Sequence, residues 1–398
     1  MFFGKKNKKI NTIAEIGINH NGNYDNAIKL INSAKNAGFT AVKFQTFIPE
    51  EMTHIKTKLA KYQKKTKFKN MQEMLKKYNF SFEQFYELKK YCDKKKIEFL
   101  STPFDEKSAI FLNNIGVKVF KVSSGDLDNF FLLSIIKKFR KPIIISTGMS
   151  NNREINETIK FLNLPKSKLA ILHCISDYPT ELKNTFFSNF DYLKKFKYDF
   201  GFSDHTIGDI SSSIAIALGA NIVEKHITID TNLEGPDHAC SMPIPELKKF
   251  ITTLHDVKKS LSTERKLTSL ERNTLKVARK SLHFSKNLKK GAIIEFEDLI
   301  PLRPAKNNIS PKNFREFIGK KLISANSNAS SKNFGLDLKN SSVDVFNTIP
   351  NLLQRPITLI FEDDKTKATR EAAAKGAAAK GELSGTSLNP NSVSFNPL

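Results

Sequence analysis

Eight short apolar segments alternate with helix-like stretches over the first 260 residues, and this repeat restricts the possible folds more than any other feature of the sequence. Their apolar character is typical of parallel strands that are covered on both faces. Eight strand–helix units predict an α/β chain folded as a (β/α)8 barrel rather than a doubly wound sheet. The segments lie at 12–17, 40–45, 97–101, 117–122, 142–146, 168–174, 199–203 and 221–227.

The pattern of the chain changes after the barrel, which we assign to residues 1–262. A linker is expected at 263–275, followed by a small β-rich module at 276–322 in which alternating segments flank a KKG turn. Residues 323–398 are low in complexity and are predicted to be a divergent, partly disordered tail. Within the barrel, the basic and poorly periodic stretch 50–80 predicts a long loop.

Composition restricts the cellular compartment and the binding partners that we expect for this chain. The formal net charge is +24, but the lysines are dispersed, so we expect a solvated surface that attracts small anions and no specific nucleic-acid site. Weak non-specific nucleic-acid binding remains open. Cys92, Cys174 and Cys240 show no CxxC spacing, which is typical of a reduced, cytoplasmic protein. The amino terminus lacks the apolar region of a signal peptide, and no apolar run reaches the ~20 residues that span a bilayer.

Polar or ionisable side chains lie at or near the carboxyl end of every predicted strand. Barrel enzymes build their active sites at this face, because the loops that follow the strands meet there. The sequence therefore predicts that these side chains share one site. They are Glu15, Lys43, Gln45, Thr102, Lys121, Ser146, His173, Asp204, His205 and His226.

Two histidines indicate a metal site. His205 and His226 end the seventh and eighth predicted strands, which are neighbours about 4.8 Å apart in a closing barrel. Two imidazoles with open positions suit a Mn²⁺- or Zn²⁺-like ion, whereas a closed structural zinc site would need further His or Cys ligands. Asp204 or Glu15 is expected either as a further ligand or as a group that orients a histidine.

An anion site is expected beside the metal. Lys43 and Lys121 follow the second and fourth strands, and Ser124 and Ser146 supply hydroxyl donors. The segment 17–22 is a glycine-bracketed turn between a strand and a helix at the same face. Together these groups predict a pocket for a phosphate or carboxylate next to a divalent ion. Purely structural alternatives remain for three residues, namely core positions for His173 and Cys174 and a loop cap for His238.

Nine motifs follow one another along the chain, namely AEIGINHNG (14–22), VKFQTF (42–47), LSTPFD (100–105), KVSSGD (121–126), ISTGM (145–149), LHCISDYPT (172–180), GFSDHT (201–206), EKHITID (224–230) and GPDHACSM (235–242). Together they resemble the sialic acid synthase family of bacterial N-acetylneuraminate synthases and their legionaminate and pseudaminate relatives. The later segment ARKS, KKG and RPA resembles the small antifreeze-like (SAF) domain of these enzymes. The resemblance covers about residues 10–322 and implies a (β/α)8 TIM barrel followed by a SAF domain.

The resemblance implies a condensation reaction. C3 of phosphoenolpyruvate attacks the open-chain aldehyde of an N-acetylmannosamine-type sugar, water adds at C2, and phosphate leaves with C–O cleavage. The family's metal falls on His205 and His226, with Mn²⁺ expected and Mg²⁺ or Co²⁺ as alternatives. N-acetylneuraminate is the expected product. The alternative is a legionaminate synthase that uses the 2,4-diacetamido-6-deoxy-mannose analogue.

The resemblance also assigns substrate contacts. Glu15 matches an acidic position that binds sugar hydroxyls or transfers a proton, and Tyr178 and Asp237 match sugar-contacting positions. Arg303 matches an arginine that reaches the sugar's N-acetyl group from the partner subunit of a domain-swapped homodimer. The phosphoenolpyruvate contacts fall on Lys43, Gln45, Thr102, Lys121, Ser124 and Ser146.

Three departures from the family pattern keep other functions open. Asp126, expected to be catalytic, stands where the family usually has Glu, and Ser176, expected to contact the sugar, stands where many members have Asn. After 318–322 the expected closing strand of the SAF domain is missing. An inactive or binding homologue is therefore one alternative. Another is an aldolase or 3-deoxy-sugar-acid synthase acting on a sugar phosphate, for which the sequence offers no second phosphate cradle.

Overall fold

The structure is a computed structural model that describes residues 10–60, 63, 66–261, 264–303 and 309–322. The chain divides into two compact units, with the boundary between Arg265 and Lys266. The tail expected at 323–398 lies outside the described residues. No helix among the described residues is long and apolar enough to cross a membrane.

The first unit is built on eight parallel strands that pair in the order β3-β2-β1-β8-β7-β6-β5-β4. The strands at the two ends of this order, β3 and β4, also contact each other, so the barrel is nearly closed. This architecture confirms the (β/α)8 prediction. The strands are β1 (Asn11–Gly17), β2 (Ala41–Thr46), β3 (Glu98–Pro103), β4 (Phe120–Val122), β5 (Ile143–Ser146), β6 (Leu169–Cys174), β7 (Asp199–Asp204) and β8 (Ile222–Thr228), with a short β9 (Met242–Pro243) paired to β8.

Helices cover the outside of the barrel and bury one apolar face each. The helix at 152–162 shows the local reasons: Asn151 and Glu154 form a capping box at its start, and Asn163 ends it in the left-handed conformation. Its buried residues recur at helical spacing. The helices are α1 (Tyr24–Ala37), α2 (Pro49–Met52), α3 (Met71–Tyr78), α4 (Phe82–Lys95), α5 (Glu106–Asn114), α6 (Phe130–Lys138), α7 (Asn152–Leu162), α8 (Asn189–Lys195), α9 (Ile210–Ala217) and α10 (Leu247–Ser260).

The stretch 50–80 differs from the long loop that its sequence predicts, because it contains the end of α2 and all of α3. The side chain of Asn70 caps α3 by accepting a hydrogen bond from the backbone N–H of Glu73. Met74 and Leu75 of α3 are buried in a small cluster with Ile18, which follows β1. An eight-residue helix with lysines on its exposed face shows too few apolar repeats to be recognised by periodicity alone.

The interior of the barrel is layered. An apolar layer fills its centre, and the next inward-facing residue on most strands is polar. Ile13 precedes Glu15 in this way, and Ala41 precedes Lys43. The polar layer therefore lies at the carboxyl ends of the strands, above an apolar floor. The central layer comprises Ile13, Ala41, Leu100, Val119, Ile144, Ala170, Leu172 and Ile222.

The second unit begins with α11 (Ser269–Ala278), so the stretch expected to be a linker is partly helical. Thr268 and Glu271 form a capping box at the start of α11. The antiparallel strands β10 (Ser281–Phe284) and β11 (Leu299–Leu302) follow. They pack on a small core that comprises Leu282, Phe284, Leu288, Ile294, Phe317 and Leu322.

Candidate active site

A cavity of about 830 Å³ opens at the carboxyl ends of the barrel strands. This volume lies within the usual range for ligand pockets. Twelve of the fourteen residues that the sequence predicts to be catalytic, metal-binding or substrate-binding line it. They are Glu15, Lys43, Gln45, Thr102, Lys121, Ser124, Ser146, Ser176, Tyr178, His205, His226 and Asp237.

Lys43 is the centre of a buried ionic cluster in this cavity. Its Nζ lies 2.8 Å from Oε2 of Glu15 and 3.3 Å from Oε1 of Glu224. The same ammonium donates to the hydroxyl of Thr102 at 3.4 Å. Glu15 and Lys43 are register partners on β1 and β2, so the strand register brings them together. Thr102 lies on the next strand, β3, as the register partner of Gln45.

Lys121 completes the cluster from the opposite wall. Its Nζ lies 3.5 Å from Oε1 of Glu224 and donates to the hydroxyl of Ser146 at 2.7 Å. Ser203 donates to the same Glu224 oxygen at 2.9 Å. The cluster thus contains two ammonium groups and two carboxyl groups in a site that the strands shield from water.

Burial and pairing shift the pKa values of the two carboxyl groups in opposite directions. Burial raises the pKa of Glu15 to about 7, although Lys43 partly opposes this effect. Burial would also raise the pKa of Glu224, but Lys121 and Lys43 outweigh it and lower that pKa to about 2. Glu224 therefore remains ionised near neutrality, whereas Glu15 can hold or release a proton there.

His205 and His226, the two histidines predicted to bind a metal, lie side by side in the cavity. Their ring centroids are 5.4 Å apart, and both side chains are buried. Nδ1 of His205 lies 2.6 Å from the carbonyl oxygen of Ile175. A carbonyl can only accept, so Nδ1 of His205 carries a proton, and Nε2 is the nitrogen that can bind an ion when the ring is neutral. The ring of Tyr178 packs on His205 with centroids 4.1 Å apart.

These histidines fit a divalent ion. Metal–imidazole bonds of about 2.1 Å allow two rings at this separation to bind one ion. Nδ1 of His226 is buried and has no hydrogen-bond partner among the described residues, and Oδ2 of Asp237 lies 4.0 Å away. Burial, reinforced by His205, lowers the pKa of His226 well below its ordinary value and favours the neutral, ligating form. Within the described ranges, no group of three or more His, Cys, Asp or Glu side chains forms a closed metal cage.

Neither carboxylate considered as a third ligand is directed at the histidine pair. Glu15 is paired with Lys43. Asp204 faces away from the cavity, and its oxygens accept hydrogen bonds from Thr206 and Ser212 and pair with Lys225. Asp204 therefore makes no hydrogen bond that would orient the ring of His205, contrary to the expectation from the sequence.

Two expected site residues do not line the described cavity. The carboxylate of Asp126 accepts from the Ser123 hydroxyl at 2.6 Å and from the Asn129 amide at 3.0 Å. Its shorter side chain is thus held by its own turn, beside the pocket-lining residues 123–125. Arg303 belongs to the second unit, where it is exposed.

Sequence analysis missed two residues of the cluster, Glu224 and Ser203, although a signal for both was present. Side chains two apart on a strand share a face, so Glu224 must point inward with His226, and Ser203 must point inward with His205. Of the expected structural alternatives, His173 is a core residue: it packs against Phe190 and Phe202, and its Nε2 lies 2.7 Å from the carbonyl oxygen of Thr185. Cys174 is buried but also lines the cavity.

The loop that carries Asp237 is fastened to the turn after β1. His238, the next residue, lies with Nε2 3.0 Å from Oδ1 of Asn21 and with Nδ1 2.7 Å from the hydroxyl of Thr228. Asn19 donates to the Ile227 carbonyl. His238 therefore has a structural role, and its contacts hold Asp237 at the rim of the cavity. Burial raises the pKa of Asp237 to about 6.

Comparison with known proteins identifies relatives over most of the chain. The profile described as the NeuB family matches residues 30–266. The N,N'-diacetyllegionaminic acid synthase of Campylobacter jejuni is 39% identical, over 79% of this chain and 96% of its own. The enzyme of the same name from Legionella pneumophila is 37% identical, over 78% of this chain and 89% of its own. The N-acetylneuraminic acid synthetase structure from Leptospira borgpetersenii is 31% identical with a TM-score of 0.61, over 67% of this chain and 90% of that one.

Proposed function

This chain belongs to the NeuB family, and on that premise we propose that it joins phosphoenolpyruvate to the open-chain aldehyde of an N-acyl mannosamine-type sugar. The products are a nine-carbon sialic-acid-type sugar and phosphate. In this proposal the chain is a synthase that forms a C–C bond, and it works in the cytoplasm, where phosphoenolpyruvate is made. Its three cysteines are free and buried, which agrees with a reducing compartment.

The observation that carries this proposal is the convergence of two buried ammonium groups with two buried imidazoles in one cavity. Lys43 and Lys121, with the hydroxyl of Ser146, are the groups we assign to the phosphate and carboxylate of phosphoenolpyruvate. Gln45, Thr102 and Ser124 line the same space. Glu224 holds both ammonium groups in place before the anion binds, so the site is preorganised.

The histidine pair is assigned to the metal, for which we propose Mn²⁺ with Mg²⁺ or Co²⁺ as alternatives. When bound, the ion supplies Lewis-acid polarisation of the sugar aldehyde. The chain's own residues supply the remaining roles. Tyr178 and Asp237 position the sugar at the rim, and Glu15, with its pKa near neutrality, holds a proton at its carboxyl group. Ser176 lines the cavity as a further sugar contact.

The far part of the cavity favours a deoxy sugar. It is lined by the segments that follow β1 to β3, and the described residues of these segments that line it are apolar except for Gln63. A buried methyl group gains about 0.8 kcal/mol there, whereas a buried hydroxyl without a partner costs about 1–3 kcal/mol. We therefore propose the 2,4-diacetamido-6-deoxy-mannose analogue as the preferred substrate, ahead of N-acetylmannosamine, which reverses the order expected from the sequence. The apolar lining is Ile18, Met52, Met71, Met74, Leu75 and Phe104.

A sugar phosphate is disfavoured for the same reason, because a buried phosphate needs cationic partners. This argues against the aldolase or sugar-phosphate synthase alternative. The inactive-homologue alternative rests on Asp126, whose carboxylate is held by Ser123 and Asn129. Turnover by the wild-type chain would exclude the inactive-homologue alternative.

A domain-swapped homodimer in which Arg303 reaches the sugar of the partner subunit remains part of the proposal. Mixing two inactive variants tests it. Hybrid dimers of His226→Ala and Arg303→Ala chains should recover activity, because one of their two sites has both residues intact. Hybrids without activity would place Arg303 in the site of its own subunit, and an Arg303→Ala chain that is active by itself would place Arg303 outside the site.

The function is tested by measuring phosphate release with phosphoenolpyruvate, Mn²⁺ and a sugar panel. The panel holds N-acetylmannosamine, its 2,4-diacetamido-6-deoxy analogue, the altrose-type analogue and N-acetylmannosamine 6-phosphate. We expect the highest kcat/KM with the 6-deoxy mannose analogue and very little turnover of the phosphorylated sugar. Mass spectrometry of the nine-carbon product separates condensation from simple hydrolysis of phosphoenolpyruvate.

A further inference from the structure

A buried ion pair outside the cavity joins the two strand ends that carry the histidines. Asp204 and Lys225 are register partners, and theirs is the last pair of the parallel β7–β8 ladder. Oδ2 of Asp204 lies 3.0 Å from Nζ of Lys225, and the side chains are 0% and 1% exposed. Side chains alternate along a strand, so this pair faces the helix layer while His205 and His226 face the cavity.

Hydrogen bonds connect the ion pair of Asp204 and Lys225 to neighbouring residues. Oδ1 of Asp204 accepts from the backbone N–H and the hydroxyl of Thr206, both at 2.8 Å. Oδ2 accepts from the hydroxyl of Ser212 in α9 at 2.6 Å. Nζ of Lys225 donates to the carbonyl of Thr206 at 2.5 Å. The pair therefore ties together β7, β8, the residues that flank His205, and the first turn of α9.

We propose that Asp204 and Lys225 form a clamp that sets the spacing of the two imidazoles for one divalent ion. His205 lies just beyond the last ladder pair, so strand pairing no longer fixes its backbone. The clamp holds Asp204 and Thr206, which are the residues directly before and after His205. Lys225 directly precedes His226. This inference rests on the proposed function, because the metal site is part of that proposal.

Both clamp residues are positioning residues, because neither lines the cavity or touches the site of the ion. If the pair only stabilised the fold, replacing it would weaken metal binding and phosphoenolpyruvate binding to a similar degree. A positioning role predicts a selective effect on the metal. Lys43 and Lys121 lie on β2 and β4, away from the clamp, so the binding of phosphoenolpyruvate without metal provides an internal reference.

The test compares a double replacement with a matched surface pair. The variant Asp204→Asn with Lys225→Met removes one negative and one positive charge, so the net charge is unchanged, and it leaves no unpaired buried charge. The control is Arg153→Met with Glu157→Gln, an exposed pair on α7. Mn²⁺ affinity is measured by paramagnetic-resonance titration, and phosphoenolpyruvate affinity by calorimetry in metal-free buffer.

We expect Mn²⁺ binding to weaken about tenfold or more in the double variant, while phosphoenolpyruvate binding stays within about twofold of the wild type. A Mn²⁺ affinity equal to the wild type, or an equal loss for both ligands, overturns the clamp. If the double variant does not fold, Ser212→Ala removes one hydrogen bond to Asp204 and should weaken Mn²⁺ binding severalfold. An unchanged affinity in that variant also overturns it.

The outcomes separate this inference from the proposed function. A wild-type chain that binds Mn²⁺ without condensing the sugars contradicts the proposed function and leaves the clamp standing. A wild-type chain that binds no Mn²⁺ overturns both the metal site and the clamp. If phosphate release persists after chelation and in the double variant, the metal part of the proposed function is wrong. The clamp then loses its basis, while the rest of the proposed function stands.

Discussion

The ammonium of Lys121 on β4 lies 3.5 Å from the carboxylate of Glu224 on β8, so an ion pair crosses the interior of the barrel between opposite strands. Lys43 on β2 approaches the same oxygen. One carboxylate therefore keeps two like charges together in a buried site, so both lysines are in place before an anionic substrate binds.

Replacing Glu224 with Gln should destabilise the free protein and increase its stabilisation by phosphoenolpyruvate. The change leaves the two buried lysines with Glu15 as their remaining carboxylate partner in the cluster, which costs on the order of 3 kcal/mol. Bound phosphoenolpyruvate supplies the missing negative charge. The shift in Tm on adding phosphoenolpyruvate should therefore be larger than in the wild type. Glu157→Gln, at an exposed pair, is the control, and equal shifts would contradict the assignment of this cluster to the anion.

Replacing Lys121 with Met should weaken phosphoenolpyruvate binding roughly 10- to 100-fold. A charge-assisted hydrogen bond contributes about 1.5–3 kcal/mol, and this ammonium is buried. Calorimetric titration in metal-free buffer measures the Kd. The matched control is Lys107→Met, which removes an exposed ammonium paired with Glu51. A Kd that changes equally in the two variants would show that Lys121 acts only through general charge.

Glu15 should make the stability of the metal-free protein fall as pH rises from about 4.5 to about 7. Its pKa is raised from 4.5 to about 7 by burial, so between these values the folded state binds more protons than the unfolded state. The free energy of unfolding of the wild type, relative to Glu15→Gln, should drop by about 3 kcal/mol over this window and then level off. Urea denaturation at a series of pH values measures it, and a constant difference would disprove the raised pKa.

Replacing His226 with Ala should abolish the restoration of activity by Mn²⁺. After chelation, the wild type should regain turnover when Mn²⁺ is added, whereas the variant should stay at least ~100-fold lower because one of two protein ligands is gone. His255→Ala provides the control, since His255 is exposed on α10. Recovery of the His226 variant to wild-type turnover would exclude this histidine as a ligand.

Replacing Met52 with Gln should shift sugar preference toward substrates with a hydroxyl at C6. The amide gives a hydroxyl a partner and removes apolar contact from a methyl group, so the ratio of kcat/KM values should move about tenfold. Met149→Gln is the control, because Met149 also lines the cavity but is 74% exposed. The same shift in both variants, or none in Met52→Gln, would argue against an apolar sugar subsite.

Much of the site followed from strand periodicity. An inward-facing residue must be followed by another inward-facing residue two positions later, so Glu15, Lys43 and His226 were predictable as cavity residues once their strands were recognised. The helix α3 was not predictable in this way, because it is short and its burial depends on Ile18 and Phe47 from other parts of the chain.

The sequence by itself determined the order of strands and helices and the face of each strand that points inward, because both depend on local periodicity. Only the tertiary structure decided which charges meet. Glu224 lies between two lysines of distant strands, Asp204 pairs outward with Lys225 rather than orienting His205, and the carboxylate of Asp126 is held by its own turn. Ion pairs depend on distances of a few ångströms between residues far apart in the chain, and those distances are set only when the barrel closes.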